Sequence, residues 1–182
     1  MKTDFTTEFI NIIENDAWML RILETVRNLH LPDCWIGAGF VRNKIWDYKH
    51  NSKRTSLNDV DVIYFDKSDT SKARELALEE QLKAIDPSVN WSVKNQARMH
   101  VRNGHSPYKN CLEAISYWPE TATAIAIQLN ANNQIAFIAP YGLDDVFNLI
   151  VRPTPNFDLT TYHNRIASKK WEDTWERLVI EE

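Results

Sequence analysis

The chain of 182 residues is 43% hydrophobic and carries seven Trp, enough to bury the core of one compact domain spanning 1–182 but not of a second. Its 21 basic and 25 acidic residues give a formal charge of −4 and a sequence pI near 5.8, so no overall positive field draws a polyanion and a nucleic-acid partner is not expected. Nothing approaches the ~18 consecutive apolar residues of a membrane span, Met1–Asn11 lacks the apolar run of a secretory signal, and the isolated Cys34 and Cys111 fit reduced core thiols, so the expected setting is cytoplasmic, with no membrane partner.

Phe9, Ile10, Ile13, Met19, Leu20, Ile22, Leu23, Val26 and Leu29 recur at helical spacing and predict one long amphipathic N-terminal helix over about 6–29, ending before Pro32. Cys34-Trp35-Ile36 reads as a short strand stopped by Gly37, and Val41 to Tyr48 as a helix followed by an exposed polar loop, His50 to Ser56. Val60 to Phe65 is rich in β-branched and aromatic residues and is the clearest strand. A helix capped by Asp69 or Thr70 runs to about Ile85, where Asp86-Pro87 breaks it. Trp91 to Lys94 alternates as a third strand, followed by a short helix through Met99 and Val101, a turn at Asn103-Gly104 and a helix near Tyr108 to Tyr117. Thr123 to Leu129 and Gln134 to Ile138 form an antiparallel hairpin across Asn130-Ala131-Asn132-Asn133. Asp144 to Ile150 reads as a short helix, Arg152 to Phe157 as a proline-stiffened loop, and Thr160 to Leu178 as one closing helix. Helices and strands in this irregular order, with one hairpin, indicate an α+β domain with a mixed sheet.

Asp59 and Asp61 are two apart on a strand, so their carboxylates project to one face and repel unless neutralised. A divalent cation with hard oxygen ligands is the economical partner: Mg²⁺, with Mn²⁺ as an alternative, is commonly held by one or two carboxylates plus substrate phosphates. Upstream, Gly37 and Gly39 flank a strand-to-helix turn where a phosphate can approach backbone amides at a helix start, and Arg42 and Lys44 follow on that helix. Glycine turn, cations and carboxylate pair supply, in order, what nucleotidyl transfer needs: positioning and charge neutralisation. Asn95 and Arg98, beside His100, form a polar cluster after the third strand, chemically suited to base or phosphate recognition and equally to capping a helix. His100 and His105 have no Cys or third His nearby, which argues against zinc.

Gly37-Ala38-Gly39-Phe40-Val41-Arg42-Asn43 followed by Asp59-Val60-Asp61 resembles the signature of the DNA polymerase β-like nucleotidyltransferase superfamily. It is similar to the head domains of tRNA CCA-adding enzymes and poly(A) polymerases, in which Gly-Gly-x-Val-Arg-Asp precedes Asp-x-Asp. Asn95 to His100, Trp118 to Thr123, Ala139 to Asp145 and Val151-Arg152-Pro153 extend a second resemblance, to an uncharacterised bacterial nucleotidyltransferase-like family, over about Leu31 to Phe157. The resemblance implies one nucleotidyltransferase-like domain, Asp59 and Asp61 as catalytic metal ligands, and Gly37, Gly39 and Arg42 around the triphosphate of an NTP. Two departures accompany it. Superfamily enzymes add a third carboxylate on a later strand, whereas Trp91-Ser92-Val93-Lys94-Asn95 has none, leaving Glu113, Glu120 or Asp144 as substitutes; and Asn43 stands where the CCA-adding pattern has Asp. The acceptor-binding domains of the larger enzymes do not fit in the remaining chain, so the expected acceptor is a small-molecule or protein hydroxyl, not tRNA. Three readings follow: a Mg²⁺-dependent nucleotidyltransferase, a nucleotide- and metal-binding module of the same fold without turnover, and, weakest, a structural or nucleic-acid adaptor.

Overall fold

The structure, a computed structural model, describes residues 4–155 and 157–181; Met1 to Thr3 of the N-terminal stretch and Asn156 of the proline-stiffened loop lie outside them. Two helices open the chain, α1 (Thr6–Glu14) and α2 (Ala17–Arg27). The single long helix expected from the apolar spacing is therefore corrected to two. The Asp16 backbone leaves the helical region and its side chain accepts from the Met19 amide, so a polar residue that starts α2 also ends the continuity with α1. The apolar phase survives the break, because both helices bury the same side: Phe9, Ile12 and Ile13 from one, Met19, Ile22, Leu23 and Val26 from the other.

Strand β1 (Trp35–Gly37) leads into α3 (Gly39–Lys49), and β2 (Val60–Tyr64) into α4 (Lys72–Ile85), whose N-cap is Ser71 and not Asp69 or Thr70. Strand β3 (Trp91–Asn95) runs directly into α5 (Gln96–Asn103), closed by Gly104 in the left-handed region, and α6 (Cys111–Ile115) is shorter than its apolar pattern suggested. The hairpin β4 (Ala126–Leu129) and β5 (Ile135–Ile138) is antiparallel as expected. Helix α7 (Asp144–Phe147) gives way to β6 (Ile150–Val151), and α8 (Leu159–Lys169) stops where Lys170 turns left-handed, followed by a 3-10 turn at Trp171–Asp173 and by β7 (Val179–Ile180). The expected closing helix to Leu178 is thus cut short at Lys169, and its Trp171 and Trp175 are buried from outside α8.

The main sheet has the order β3-β2-β1-β4-β5, parallel only between β2 and β3. One face, carrying Ile36, Val60, Val62, Tyr64, Val93 and Ile127, packs with α1, α2, α3 and α4 residues into the large core. The other carries Trp35, Ile63 and Ala126 and meets Cys111 and Ile115 from α6 in a smaller cluster. Alternation along β2 puts Asp61 on this second, thinly covered face. The α+β class and mixed sheet match expectation.

Candidate functional site

Register sets the surroundings of Asp61. Its strand neighbours are Gly37 on β1 and Ser92 on β3, so a residue with no side chain and a short hydroxyl flank the carboxylate. A Cβ on Gly37 would lie 2.8 Å from the ring edge of Trp118 and 3.0 Å from Ala126 Cβ and the Ile125 carbonyl, so glycine there is required by close packing. Asp59 lies just before β2 and is exposed. Burial first, and then the charge of Asp59, pushes the Asp61 carboxyl up to about 6, against the Ser92 hydroxyl and the positive charges of Lys94 and Arg42.

Asp59 and Asp61 line a cleft of about 350 Å³ together with Ala38, Gly39, Arg42, Asn43, the loop Thr55–Asp59 and, across from them, Arg165, Lys169, Trp171 and Trp175. Arg42 is 7% exposed. It donates through Nη1 to Thr123 Oγ1 (2.8 Å) and through Nε and Nη2 to Asn43 Oδ1 (3.2 and 2.9 Å), and its guanidinium lies 4.3 Å from the Trp171 ring and 5.1 Å from Trp46. Burial lowers its pKa to about 10, still positive at any physiological pH, with Glu120 and Asp61 opposing and Arg165 reinforcing that fall. Asn43 is thus the oxygen acceptor of Arg42 but brings no charge to balance it. A buried guanidinium held by neutral groups beside an open cleft suits an anion.

The opposite wall comes from the C-terminal segment. Arg165 pairs with Glu120, which is 0% exposed, and lies 5.6 Å from Trp171, so that ring is in contact with two guanidinium groups. Asp47, at the end of α3, holds both walls together: it accepts from the Thr55 amide (2.8 Å), the Thr55 hydroxyl (2.7 Å) and Trp175 Nε1 (2.9 Å). Arg165, Lys169, Asp47 and the two Trp were not singled out as site residues by the sequence. The spacing of Arg165 and Lys169 on one helix face was the available signal, but it says nothing about which face meets α3.

The expected site residues divide. Gly39, Arg42, Asp59 and Asp61 meet at the cleft; Gly37 lies behind Asp61 as a packing residue. Asn95 and Arg98 do not reach it. Asn95 is fully buried, caps α5 through the Ala97 amide and bonds the Asp66 and Asp69 backbone, while Arg98 is bound to Glu75 on α4. Lys44 is paired with Asp16, which also accepts from Arg54, and Arg152 is engaged by Asp145 and Glu181 away from the cleft. Of the possible third acids, none lines the cleft: Glu113 accepts from the Lys109 amide, Glu120 is bound to Arg165, and Asp144 begins α7. Among the described residues, no group of three or more His, Cys, Asp or Glu side chains is placed to hold a metal ion. Two carboxylates, one of them destabilised by the other, fit a hard divalent ion whose remaining ligands are phosphate oxygens and water. Among the same residues, no helix is long and apolar enough to cross a membrane.

Residues 24–180 match the profile of a family described as nucleotidyltransferase. A solved structure described as revealing a CCA-adding enzyme head domain is 35% identical, superposes with a TM-score of 0.86, and is matched over 96% of this chain and 95% of that one. A CCA-adding enzyme in complex with CTP is 16% identical (TM-score 0.61), over 99% of this chain and 44% of that one. The CCA-adding enzyme of Thermotoga maritima complexed with tRNA is also 16% identical (TM-score 0.59), over 99% and 43%. This chain therefore spans less than half the length of those two enzymes, which share its fold. One of them carries tRNA, so the expectation against a nucleic-acid partner gains no support from them. No protein of curated function matches the sequence.

Proposed function

The chain belongs to the nucleotidyltransferase family, and from that premise we propose that its cleft binds an NTP and directs transfer of the nucleoside monophosphate to a small-molecule or protein hydroxyl. The observation that carries the proposal is the juxtaposition of Asp59 and Asp61 with Arg42, Arg165 and Lys169 in one cleft at the start of α3. In this reading Asp59 and Asp61 hold Mg²⁺, or Mn²⁺ in its place. Bound there, the ion would neutralise charge developing on the phosphates. Arg42 and the first amides of α3 hold phosphate oxygens, where the helix dipole favours negative charge. Arg165 and Lys169 take the outer phosphates, and Trp171 gives the two guanidinium groups a fixed plane. The acceptor oxygen bonds to the α-phosphorus, the bond from that phosphorus to the bridging oxygen breaks, and pyrophosphate leaves with the electron pair while the hydroxyl proton passes to water.

Calorimetric titration with NTP and Mg²⁺ tests the site. Binding to the native protein that is abolished by Asp59→Asn with Asp61→Asn is the expected result; no binding, or binding indifferent to that pair, would sink the proposal. One observation favours a second reading, a nucleotide- and metal-binding module without turnover: Ser92 sits in register beside Asp61 where superfamily enzymes are expected to carry an acid, and among the described residues no other acid takes its place in the cleft. Pyrophosphate release that depends on NTP and disappears with the Asp pair would reject that second reading.

A further inference from the structure

A second cleft, of about 540 Å³, is lined by Trp118. Two independent features place the clefts side by side. Trp118 lies against the position a Gly37 side chain would take, and Gly37 and Asp61 are register partners whose side-chain directions share a face, so Trp118 borders Asp61's side of the sheet. On α8, Thr161 lines the second cleft while Arg165 and Lys169 line the first. These residues are four apart on one helical stripe, so one wall passes from the second cleft to the first within about 6 Å of helix rise.

The two linings differ in chemistry. The first cleft mixes three cations with two acids. The second is lined by the rings of Tyr117, Trp118 and Phe157 and by Met99, with the neutral polar groups of Asn103, Thr154 and Thr161 and the His105 imidazole between them; among the described residues no Lys or Arg lines it, and its one carboxylate is Asp158, the N-cap of α8. Its aromatic wall is fixed in place. Tyr117 is packed against His105 (ring centroids 4.4 Å) and Tyr108 (5.4 Å), and the His105 Nδ1 is 2.6 Å from the Tyr108 hydroxyl. The Thr154 hydroxyl donates to the Trp118 carbonyl (2.6 Å), which ties the loop before α8 to the same wall. A rigid aromatic slot bearing no Lys or Arg favours a planar ring and disfavours a phosphorylated or carboxylated one.

We propose that this second cleft is the acceptor site, and that the acceptor is a neutral, planar ring compound bearing a hydroxyl. The proposal rests on the first cleft being the NTP site and names the substrate class served by it. The ring stacks on Tyr117 and Trp118, and its hydroxyl points past Trp118 toward the α-phosphorus, displacing pyrophosphate as written above with its proton released to water.

The test uses the whole chain and two probes of one ring, 3-(2-hydroxyethyl)indole and indole-3-acetate, followed by ligand-observed NMR with and without saturating ATP and Mg²⁺. The neutral probe binds at least tenfold more tightly than the anionic one, binds equally well with ATP present, and loses at least tenfold in affinity in Tyr117→Ala, whose side chain is partly exposed so that folding survives. Phe157→Ala, which removes another ring of the lining, lowers the same affinity severalfold. The acceptor proposal is overturned if neither probe binds, if the anionic probe binds as well as the neutral one, if ATP displaces the neutral probe, or if Tyr117→Ala leaves its affinity unchanged. ATP affinity, measured on the same samples, separates the two claims: unchanged ATP binding with any of those outcomes rejects the acceptor site alone, whereas absence of ATP binding rejects the first cleft's reading.

Discussion

The two walls of the carboxylate cleft are made in different ways. From Ala38 to Asp61 the wall is local in sequence: a strand, a turn, a helix start, a loop and the next strand, with the acids left poorly compensated where the sheet is thinly covered. From Arg165 to Trp175 the wall is carried in from more than a hundred residues away and fixed by partners outside Asp61's strand: Glu120 for Arg165, Asp47 for Trp175, the Trp46 ring for both Trp171 and Trp175. The first wall holds stored repulsion awaiting a ligand, while Arg165, Trp171 and Trp175 of the second already have their partners in the fold. Substitutions at the acids of the first should therefore separate function from stability, and substitutions at the partnered residues of the second should couple them.

Asp61→Asn is the sharpest separation. Pyrophosphate release dependent on NTP falls by on the order of 10² to 10³ or more, as when a group that stabilises transition-state charge is removed. The same change makes the ligand-free fold more stable near neutrality, by about 1–2 kcal/mol. The sign follows from the direction of the shift. Asp61 moves from a reference of 3.8 up to about 6, so the fold disfavours its ionised form. Its contribution is fully favourable below about pH 4 and is lost as pH rises through 6. Urea denaturation of native protein and variant should coincide near pH 4 and diverge by pH 8, with the variant more stable; parallel curves across that range would remove the distinction between the walls.

Arg165→Ala breaks the comparison from the other side. It leaves Glu120, which is 0% exposed, without its guanidinium, an uncompensated buried charge that costs about 3–5 kcal/mol. Lys169→Ala, an exposed position on the same helix face, changes stability by less than about 0.5 kcal/mol but weakens nucleotide binding by about fivefold, or roughly 1 kcal/mol. Thermal unfolding and nucleotide titration of the two variants side by side check both numbers. Equal stability of the two would show that Arg165 belongs with the ligand alone.

The difference between the walls also explains what could be read in the sequence. Gly39, Arg42, Asp59 and Asp61 are bunched within a short stretch, and alternation along β2 fixes the face on which Asp61 lies, so local pattern was enough to bring them to one cleft. Asn95 and Arg98 look equally polar in sequence, yet one caps α5 and the other neutralises Glu75, because helix α4 packs across β3 and supplies that carboxylate. Pairing across 23 residues, as between Arg98 and Glu75, is a tertiary fact with no local mark. The same limit hid Arg165 and Lys169, and it hid the turn at Lys170, whose left-handed backbone is carried by an ordinary helix-forming residue. At Asn15-Asp16 the signal was present, an Asp three residues before Met19, but the unbroken apolar phase of α1 and α2 masked it.

Two adjacent small residues, Gly37 behind the first wall and Ala38 in it, should respond in opposite directions. Gly37→Ala puts a methyl against a tryptophan ring edge and a backbone carbonyl, neither of which yields cheaply, and costs about 1–3 kcal/mol. Because the displaced ring is Trp118, the damage should spread to both clefts, lowering nucleotide affinity as well as the unfolding midpoint.

Ala38→Gly has a smaller effect than Gly37→Ala and the opposite sign. Ala38 caps α3 with φ +54° and ψ −126°, a region that side-chain-bearing residues rarely enter. Holding a non-glycine residue there costs on the order of 1–3 kcal/mol, whereas glycine adds about 0.5–1 kcal/mol of unfolded-state entropy to be lost on folding. Relief of backbone strain outweighs that entropy, so the variant should gain about 1 kcal/mol, read as a higher urea midpoint at unchanged slope. The Ala38 backbone carries the first bonds of α3, its carbonyl accepting from the Val41 and Arg42 amides, and both persist in the variant. If Ala38 is strained because the turn must keep the α3 amides facing the cleft, nucleotide affinity stays within about twofold of the native value as stability rises. A gain in stability accompanied by a large loss of affinity would mean that the alanine methyl, and not the backbone path alone, shapes the phosphate end of the site.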